Sequence, residues 1–392
     1  MIQIQEKRSP HAFSLFNLGF RPFFLGGAVS AVILILFWLH LLKTGNPINY
    51  YLSSSLWHSH EMIFGFTTAI IAGFLLTAVR NWTNVQTPFG WKLALLFGLW
   101  LAGRLIIFLP GIPAWLLATV DLSFLPALAT CLAIPIIQSR NFRNLIFIPI
   151  LMAFFVANLM VHAELNQITE NTQLKGINLS LFLVILLITV IGGRVIPFFT
   201  ERGVEGAQCT KFAGIEKAII PVTIAWLFIN LTDETQLIAL SSLALAVMHL
   251  CRNYGWFSSS ILSVPLVWIL QFSYLFIPLG LTLYGLAGFG YVSRSVAFHA
   301  FTVGAIGGMT LGMMARVSLG HTGRTLVINK IVFTAFCLIL SAAVIRSGVN
   351  LLPLDYMMTI YLSGGLWVLA WLLFLYRYTS ILIKPRKDGL FG

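Results

Sequence analysis

The stretch "WHSHEMIFGFTTAIIAGFLLTAV" (residues 57–79) decides the fold class, because it is long and apolar enough to cross a lipid bilayer. The hydrocarbon core of a bilayer takes about 20 apolar residues when they form a helix. The first turn of this helix nevertheless carries His58, His60 and Glu61. Polar groups at membrane depth are costly and commonly mark a functional site, so these side chains need an explanation.

Similar apolar runs occupy most of the chain. Of the 392 residues, 58% are hydrophobic and 9% are charged, and the mean hydropathy is +0.91, which excludes a soluble or disordered chain. We therefore predict an all-α polytopic membrane protein that forms one bundle, a single integral membrane domain over residues 1–392. The twelve predicted spans are residues 20–42, 57–79, 91–109, 115–137, 145–165, 177–198, 216–232, 235–251, 261–286, 295–317, 326–346 and 356–378.

The formal net charge of +12 follows this span map, so no nucleic-acid partner is expected and the lipid bilayer is the expected partner. With the N-terminus in the cytoplasm, eighteen of the 24 basic residues lie on that side, while Arg104 and Arg194 stay within spans. The four basic residues on the opposite side are Lys43, Lys175, Arg294 and Arg346. The positive-inside rule then predicts that both ends, residues 1–19 and 379–392, are cytoplasmic.

This orientation converts histidine positions into depths. Span two runs inward and span five runs outward, and span ten again runs inward. Five of the eight histidines therefore fall in the outer leaflet, namely His40, His58, His60, His162 and His299. The three predicted at the cytoplasmic face are His11, His249 and His321.

The outer-leaflet histidines have neighbours that suit metal ligands. Glu61 follows His58 by three residues and Asn158 precedes His162 by one helical turn, and a ligating imidazole commonly donates its second N–H to such a group. His58 and His60 point about 200° apart on a regular helix, which predicts separate roles or a distorted helix start. The alternative is that these rings only bind backbone or lipid headgroups at the interface.

Span ten carries Gly304, Gly308 and Gly312 at four-residue spacing. Such a stripe predicts close approach of a neighbouring helix, although a flat macrocycle could use the same clearance.

Three segments resemble hallmark motifs of the NnrS family of bacterial inner-membrane proteins. They are "WHSHEMIFGFTTAIIAGFLLTAVRNWT" (57–83), "GRVIPFFTERG" (193–203) and "HAFTVGAIGGMTLGMMARVSLGHTGR" (299–324). The resemblance implies haem, copper and a link to denitrification and nitrosative stress caused by nitric oxide. The motif histidines carried over are His58, His60, His162, His299 and His321. Arg80 stands where the family has a proline before "NWT", and His40 has no family motif behind it.

The expected function is binding of nitric oxide at an outer-leaflet metal site, held by His58, His60, His162 and His299. Whether the chain is an enzyme, a haem–copper oxidoreductase that reduces nitric oxide, is left open. In that mechanism Glu61 orients a ring or relays protons, and a quinol or another donor supplies electrons. The haem is expected to be haem b, because the chain has no CxxCH attachment sequence.

Other residues leave alternatives open. Arg194 either anchors an anionic group such as a haem propionate or has a structural role. His321 lies about 33 Å along the helix from His299 and so belongs to another site, as a structural group or a ligand of a second cofactor. A secondary transporter of a metal ion or small anion, with helices broken at Pro197, Pro265 and Pro278, is one alternative function. A sensor or accessory protein without turnover is the other.

Overall fold

The computed structural model describes residues 13–45, 51–232, 234–349 and 355–392, and within them it contains helices and no strands. His11 lies outside the described residues. The helices are α1 (Phe20–Thr44), α2 (Ser54–Thr83), α3 (Trp91–Phe108), α4 (Ala114–Gln138), α5 (Phe147–Leu165), α6 (Gln173–Gly203), α7 (Ala213–Ile229), α8 (Thr235–Trp256), α9 (Pro265–Gly288), α10 (Arg294–Gly320), α11 (Lys330–Ser347) and α12 (Tyr356–Ile383).

Eleven of these helices, counted over the described residues, are long and apolar enough to cross a membrane. The remaining one is α7, which corresponds to the predicted span at 216–232 and has 17 residues. The chain is thus an all-helical, multi-pass membrane protein. A twelfth crossing and the cytoplasmic position of both termini remain predictions.

Prolines within the spans do not interrupt the helices. Pro197 lies inside the continuous helix α6, and Pro278 lies inside α9. Pro265 occupies the first turn of α9, where its missing N–H costs no hydrogen bond. The helix breaks that a transporter would need at Pro197, Pro265 and Pro278 are therefore not found.

The chain forms two compact units, and each is described by itself. The first comprises the described residues within Met1–Ser180, together with Met314–Leu326 and Phe374–Gly392. The second comprises Leu181–Met313 and Val327–Leu373. The single integral membrane domain expected from the sequence remains a prediction.

Aromatic side chains hold α1, α3 and α4 together in the first unit. The ring of Phe23 lies 5.5 Å from that of Phe97 and 5.8 Å from that of Phe124, measured between centroids. Arg21, counted above among the cytoplasmic charges, is fully buried, and it donates hydrogen bonds to the carbonyl oxygens of Leu382 and Lys384. It therefore ties the start of α1 to the end of α12.

In the second unit, the glycine stripe of α10 packs against α9. A Cβ at Gly304 or Gly308 would overlap Phe276 or Ser273 respectively, and one at Gly312 would lie 2.8 Å from Ile269. The close approach expected from the spacing is confirmed. Since side chains fill the stripe, it is not a platform for a macrocycle.

Candidate metal centre

Helix α2 changes its winding directly after His60. Residues Ser54–His60 are α-helical, Glu61–Thr67 form a π-helix, and an α-helix resumes at Thr68. The Thr67 hydroxyl donates to Met62 O at 2.8 Å, five residues earlier. π-helical turns are rare and often occur at functional sites.

The imidazole of His60 lies among three oxygen atoms. Nδ1 is 3.0 Å from Glu61 Oε1, whereas Nε2 is 2.9 Å from Asn158 Oδ1 and 3.3 Å from Asp121 Oδ2. Carboxylate and amide carbonyl oxygens only accept hydrogen bonds. Both sides of the ring are satisfied when both nitrogens carry protons, or when a cation takes the place of the Nε2 proton.

His162 approaches the same carboxylate from α5. Its Nε2 lies 2.8 Å from Asp121 Oδ2, and its Nδ1 lies 2.8 Å from the hydroxyl of Tyr51. Asn158, one turn earlier on α5, donates Nδ2–H to Asp121 Oδ2 at 2.8 Å. That bond fixes the amide orientation, so Asn158 Oδ1 faces His60.

Arg104 on α3 joins the two carboxylates. One guanidinium nitrogen donates to Glu61 Oε1 at 2.7 Å, and the other forms an ion pair with Asp121 Oδ1. Gly103 makes room for this pairing, because a Cβ there would lie 2.9 Å from Asp121 Oδ1. Asp121 therefore keeps Oδ1 for Arg104 and turns Oδ2 towards the histidines.

His60, Asp121 and His162 can hold a metal ion together. One donor atom from each lies within 4.8 Å of the others, and none of the three residues is more than 4% exposed. Each histidine has an oxygen at Nδ1 and directs Nε2 to the centre, the usual arrangement of metal-ligating imidazoles. With neutral imidazoles, two carboxylates and one guanidinium give the cluster a net charge of −1, which favours a bound cation.

Three of the residues predicted to form the site, His60, Glu61 and His162, are brought together here. His58 points elsewhere and stacks on Trp38 of α1, with ring centroids 4.5 Å apart. The divergence of His58 and His60 expected from helical geometry is therefore found.

His299 and Arg194 belong to the second unit. His299 precedes a π-helix, Ala300–Gly307, as His60 precedes the one in α2. Its Nδ1–H donates to Ser295 O at 2.6 Å, which selects the tautomer whose Nε2 accepts. Arg194 lies half-buried in α6.

His321 follows α10 in the first unit. Its ring lies 5.9 Å from that of Phe20, and Asn81 Nδ2 donates to its Nε2 at 3.4 Å. Burial, together with nearby positive charge from Arg386 and other arginines, lowers the pKa of His321 to about 4. The ring is neutral at physiological pH.

Three residues of the centre were missed from the sequence: Asp121 as a ligand, and Arg104 and Tyr51 as partners. The sequence contained the information needed to find Asp121. It is the only charged residue of α4, and intramembrane carboxylates are functional candidates. Arg104 was recognised as lying within a span but was given no role. Tyr51 lies before α2, where nothing in the pattern distinguished it.

A haem does not fit at this centre as its residues are arranged. Nε2 of His60 and Nε2 of His162 both face Asp121 Oδ2, so a macrocycle cannot reach either nitrogen without displacing that carboxylate. His299 has the tautomer that an axial ligand needs.

A second buried polar network lies in the second unit and explains part of the "GRVIPFF" motif. Arg252, counted as cytoplasmic from the sequence, lies inside α8 and is paired with Glu216 at 2.7 Å. It also donates to Tyr274 Oη at 3.2 Å, and the same hydroxyl lies 2.7 Å from His249 Nδ1. A Cβ at Gly193 would overlap the Arg252 guanidinium, so this glycine provides the space for the ion pair.

Comparison with known proteins agrees with these motifs. The family profile described as NnrS protein matches residues 14–386, nearly the whole chain. No curated protein matches the chain. With its α2 and α10 motifs inside the matched range, this membrane protein belongs to the NnrS family.

Proposed function

We propose that this chain is a metal-dependent protein of the nitric-oxide response, which binds nitric oxide at an ion held by His60, Asp121 and His162 and can reduce it. The convergence of these buried donors carries the proposal. The NnrS family, which is linked to the nitric-oxide response and is of a metal-binding type, supplies the substrate.

The residues of the chain prepare the centre. Glu61 and Tyr51 hold the Nδ1 atoms of the two imidazoles, so both Nε2 atoms are oriented before a metal arrives. Arg104 holds one oxygen of Asp121 and leaves the other for the ion. A bound redox metal supplies the site for nitric oxide and the route for electrons.

Glu61 is the candidate catalytic group. It contacts both His60 and Arg104, and its carboxylate orients the imidazole. Proton relay by Glu61 is the additional role proposed for turnover. Glu61→Gln keeps the shape of the side chain, and we expect it to lower metal affinity or activity by about 10–100-fold.

We place the centre in the outer leaflet of the bacterial inner membrane, with both termini cytoplasmic. The asymmetry of basic residues supports this orientation. Nitric oxide is small and apolar and partitions into lipid, so it reaches a buried centre directly. Reporter fusions at residue 170 and at the C-terminus should report periplasm and cytoplasm respectively, and the reverse result contradicts the placement.

Haem b and copper are the cofactors that the family resemblance predicts. For the haem we propose His299 as the first candidate ligand, with His58 and His321 as the others and Arg194 as an anchor for a propionate. Acidified acetone should extract a haem b, whereas covalent haem would stay with the chain. A quinol or another membrane donor is the proposed source of electrons.

The decisive experiment is titration of the purified full-length protein with nitric oxide, followed by optical difference spectra and by consumption of the gas. We expect His60→Ala and His162→Ala to reduce both signals by at least about tenfold. His40→Ala is the matched control, because His40 is exposed on α1. Folded variants with unchanged signals would contradict the proposal, and spectral change without consumption would indicate a sensor.

A further inference from the structure

The ion at this centre can be assigned from its donor atoms. We propose that it is ferrous iron, held outside any haem by His60, Asp121, His162 and Asn158, and not cuprous copper. The assignment rests on the proposed function only in taking this cluster to be a metal centre.

The chemistry of the donors favours iron. Two imidazole nitrogens and one carboxylate oxygen are the donor set of non-haem iron sites that keep positions open for small molecules. Cuprous copper prefers thiolate and thioether sulfur. The hydrogen-bond and ion-pair partners described for His60, Asp121 and His162 are oxygen and nitrogen atoms only.

Asn158 adds a fourth donor. Its Oδ1 lies 2.9 Å from His60 Nε2, and its Nδ2–H is already committed to Asp121. An amide oxygen is a hard ligand, which iron(II) accepts more readily than copper(I) does. With Asn158 included, two of the four donor atoms at the centre are oxygen atoms.

The spacing of the donors also fits a six-coordinate ion. Ligands at right angles with bonds of about 2.1 Å lie about 3.0 Å apart, against about 3.4 Å for a tetrahedral ion. Nε2 of His162 lies 2.8 Å from Asp121 Oδ2, and Nε2 of His60 lies 2.9 Å and 3.3 Å from its two oxygens. Two of these distances lie near the octahedral value and the third lies near the tetrahedral one, so the donors can surround an ion of either geometry without large movements.

Arg104 limits the ligand role of Asp121 to one oxygen. Its ion pair with Oδ1 leaves only Oδ2 facing the histidines. Four protein donors around a six-coordinate ion then leave two positions. Nitric oxide needs one such position, which connects the donor set to the proposed function.

The experiment measures metals in the purified full-length protein from cells supplied with both iron and copper, with haem iron counted separately from its optical spectrum. We expect about one non-haem iron per chain. Asp121→Asn should reduce that iron at least about tenfold, and His40→Ala should leave it unchanged. Copper or zinc at this stoichiometry, lost in Asp121→Asn, would overturn the assignment, as would iron that the substitution does not affect.

A second measurement keeps the assignment testable if Asp121→Asn does not fold. Metal-free protein is reloaded anaerobically with iron(II) or copper(I) in competition, and Asn158→Ala should weaken iron retention while sparing copper. Addition of nitric oxide to the iron form should give the high-spin EPR signal of a non-haem ferrous nitrosyl, which differs from the low-spin signal of a haem nitrosyl. Iron uptake without that signal would support the metal assignment and contradict the proposed function, so the two fail separately. Preferential uptake of copper would overturn the assignment.

Discussion

Arg104→Met tests the electrostatics of the metal centre, because it removes the guanidinium that contacts both Glu61 and Asp121. The side chains of the two acids are only 3% and 2% exposed, so neither gains hydration in compensation. Removing one partner of a buried ion pair costs about 3–5 kcal/mol. Since one arginine serves two carboxylates here, we expect a loss above the lower limit of that range, about 4 kcal/mol, or about a thousandfold in the unfolding equilibrium.

The assay is reversible unfolding of the purified protein in mixed micelles, followed by tryptophan fluorescence with and without metal. Metal-free Arg104→Met should lose the full amount of unfolding free energy, about 4 kcal/mol. Metal-bound Arg104→Met should lose less, because the cation replaces part of the missing positive charge. Adding Glu61→Gln to Arg104→Met should restore about 1–3 kcal/mol, since it removes one uncompensated charge.

A loss below about 1 kcal/mol in the metal-free protein would refute this reasoning. Strict additivity of Arg104→Met and Glu61→Gln would refute it too. Either result would mean that the carboxylates are neutralised by something other than Arg104.

Three further predictions concern other contacts. Gly193→Ala should cost about 3 kcal/mol of unfolding free energy, because the new Cβ displaces Arg252. Gly192→Ala is the control and should cost little, because its Cβ would lie 3.4 Å from the nearest atoms. Equal losses in the two variants would contradict this prediction. Because the pKa of His321 falls from 6.5 to about 4 on folding, the unfolded chain binds the proton more readily. Stability should therefore be complete above pH 6.5 and decline towards pH 4, and His321→Gln should flatten that part of the thermal-midpoint profile. Tyr51→Phe removes the hydroxyl at Nδ1 of one imidazole, and chelator competition should show metal affinity about 10–100-fold lower with the fold intact.

Hydropathy and helical geometry account for what the sequence predicted well. Apolar runs of membrane length located the helices, because lipid demands that each span satisfies its own backbone. The 3.6-residue period separated His58 from His60. Helix α7 illustrates the limit, since its 17 residues fall near the shortest length that spans a bilayer.

The centre itself depends on tertiary contacts. Asp121 and Asn158 are 37 residues apart in the chain, and only the packing of α4 on α5 brings them together. No local pattern gives that distance, nor the reach of Arg104 from α3. The position of Arg252 also depends on a tertiary contact. Charge counting places this residue in a loop, whereas its ion pair with the distant Glu216 allows its charge to lie inside a helix.

The π-helical turn in α2 sets the phase between His60 and the rest of its helix. A π-helical hydrogen bond spans one residue more than an α-helical one, so the segment before Glu61–Thr67 is rotated relative to the apolar face that follows it. Deleting a single residue there would rotate the preceding segment by about 100° and draw it about 1.5 Å along the axis. The imidazole would swing away from Asp121 while α2 remained packed beyond Thr68. The orientation of the His60 imidazole thus depends on the number of residues in this turn rather than on side-chain identity. Single-residue insertions and deletions in the turn are therefore more damaging than conservative substitutions.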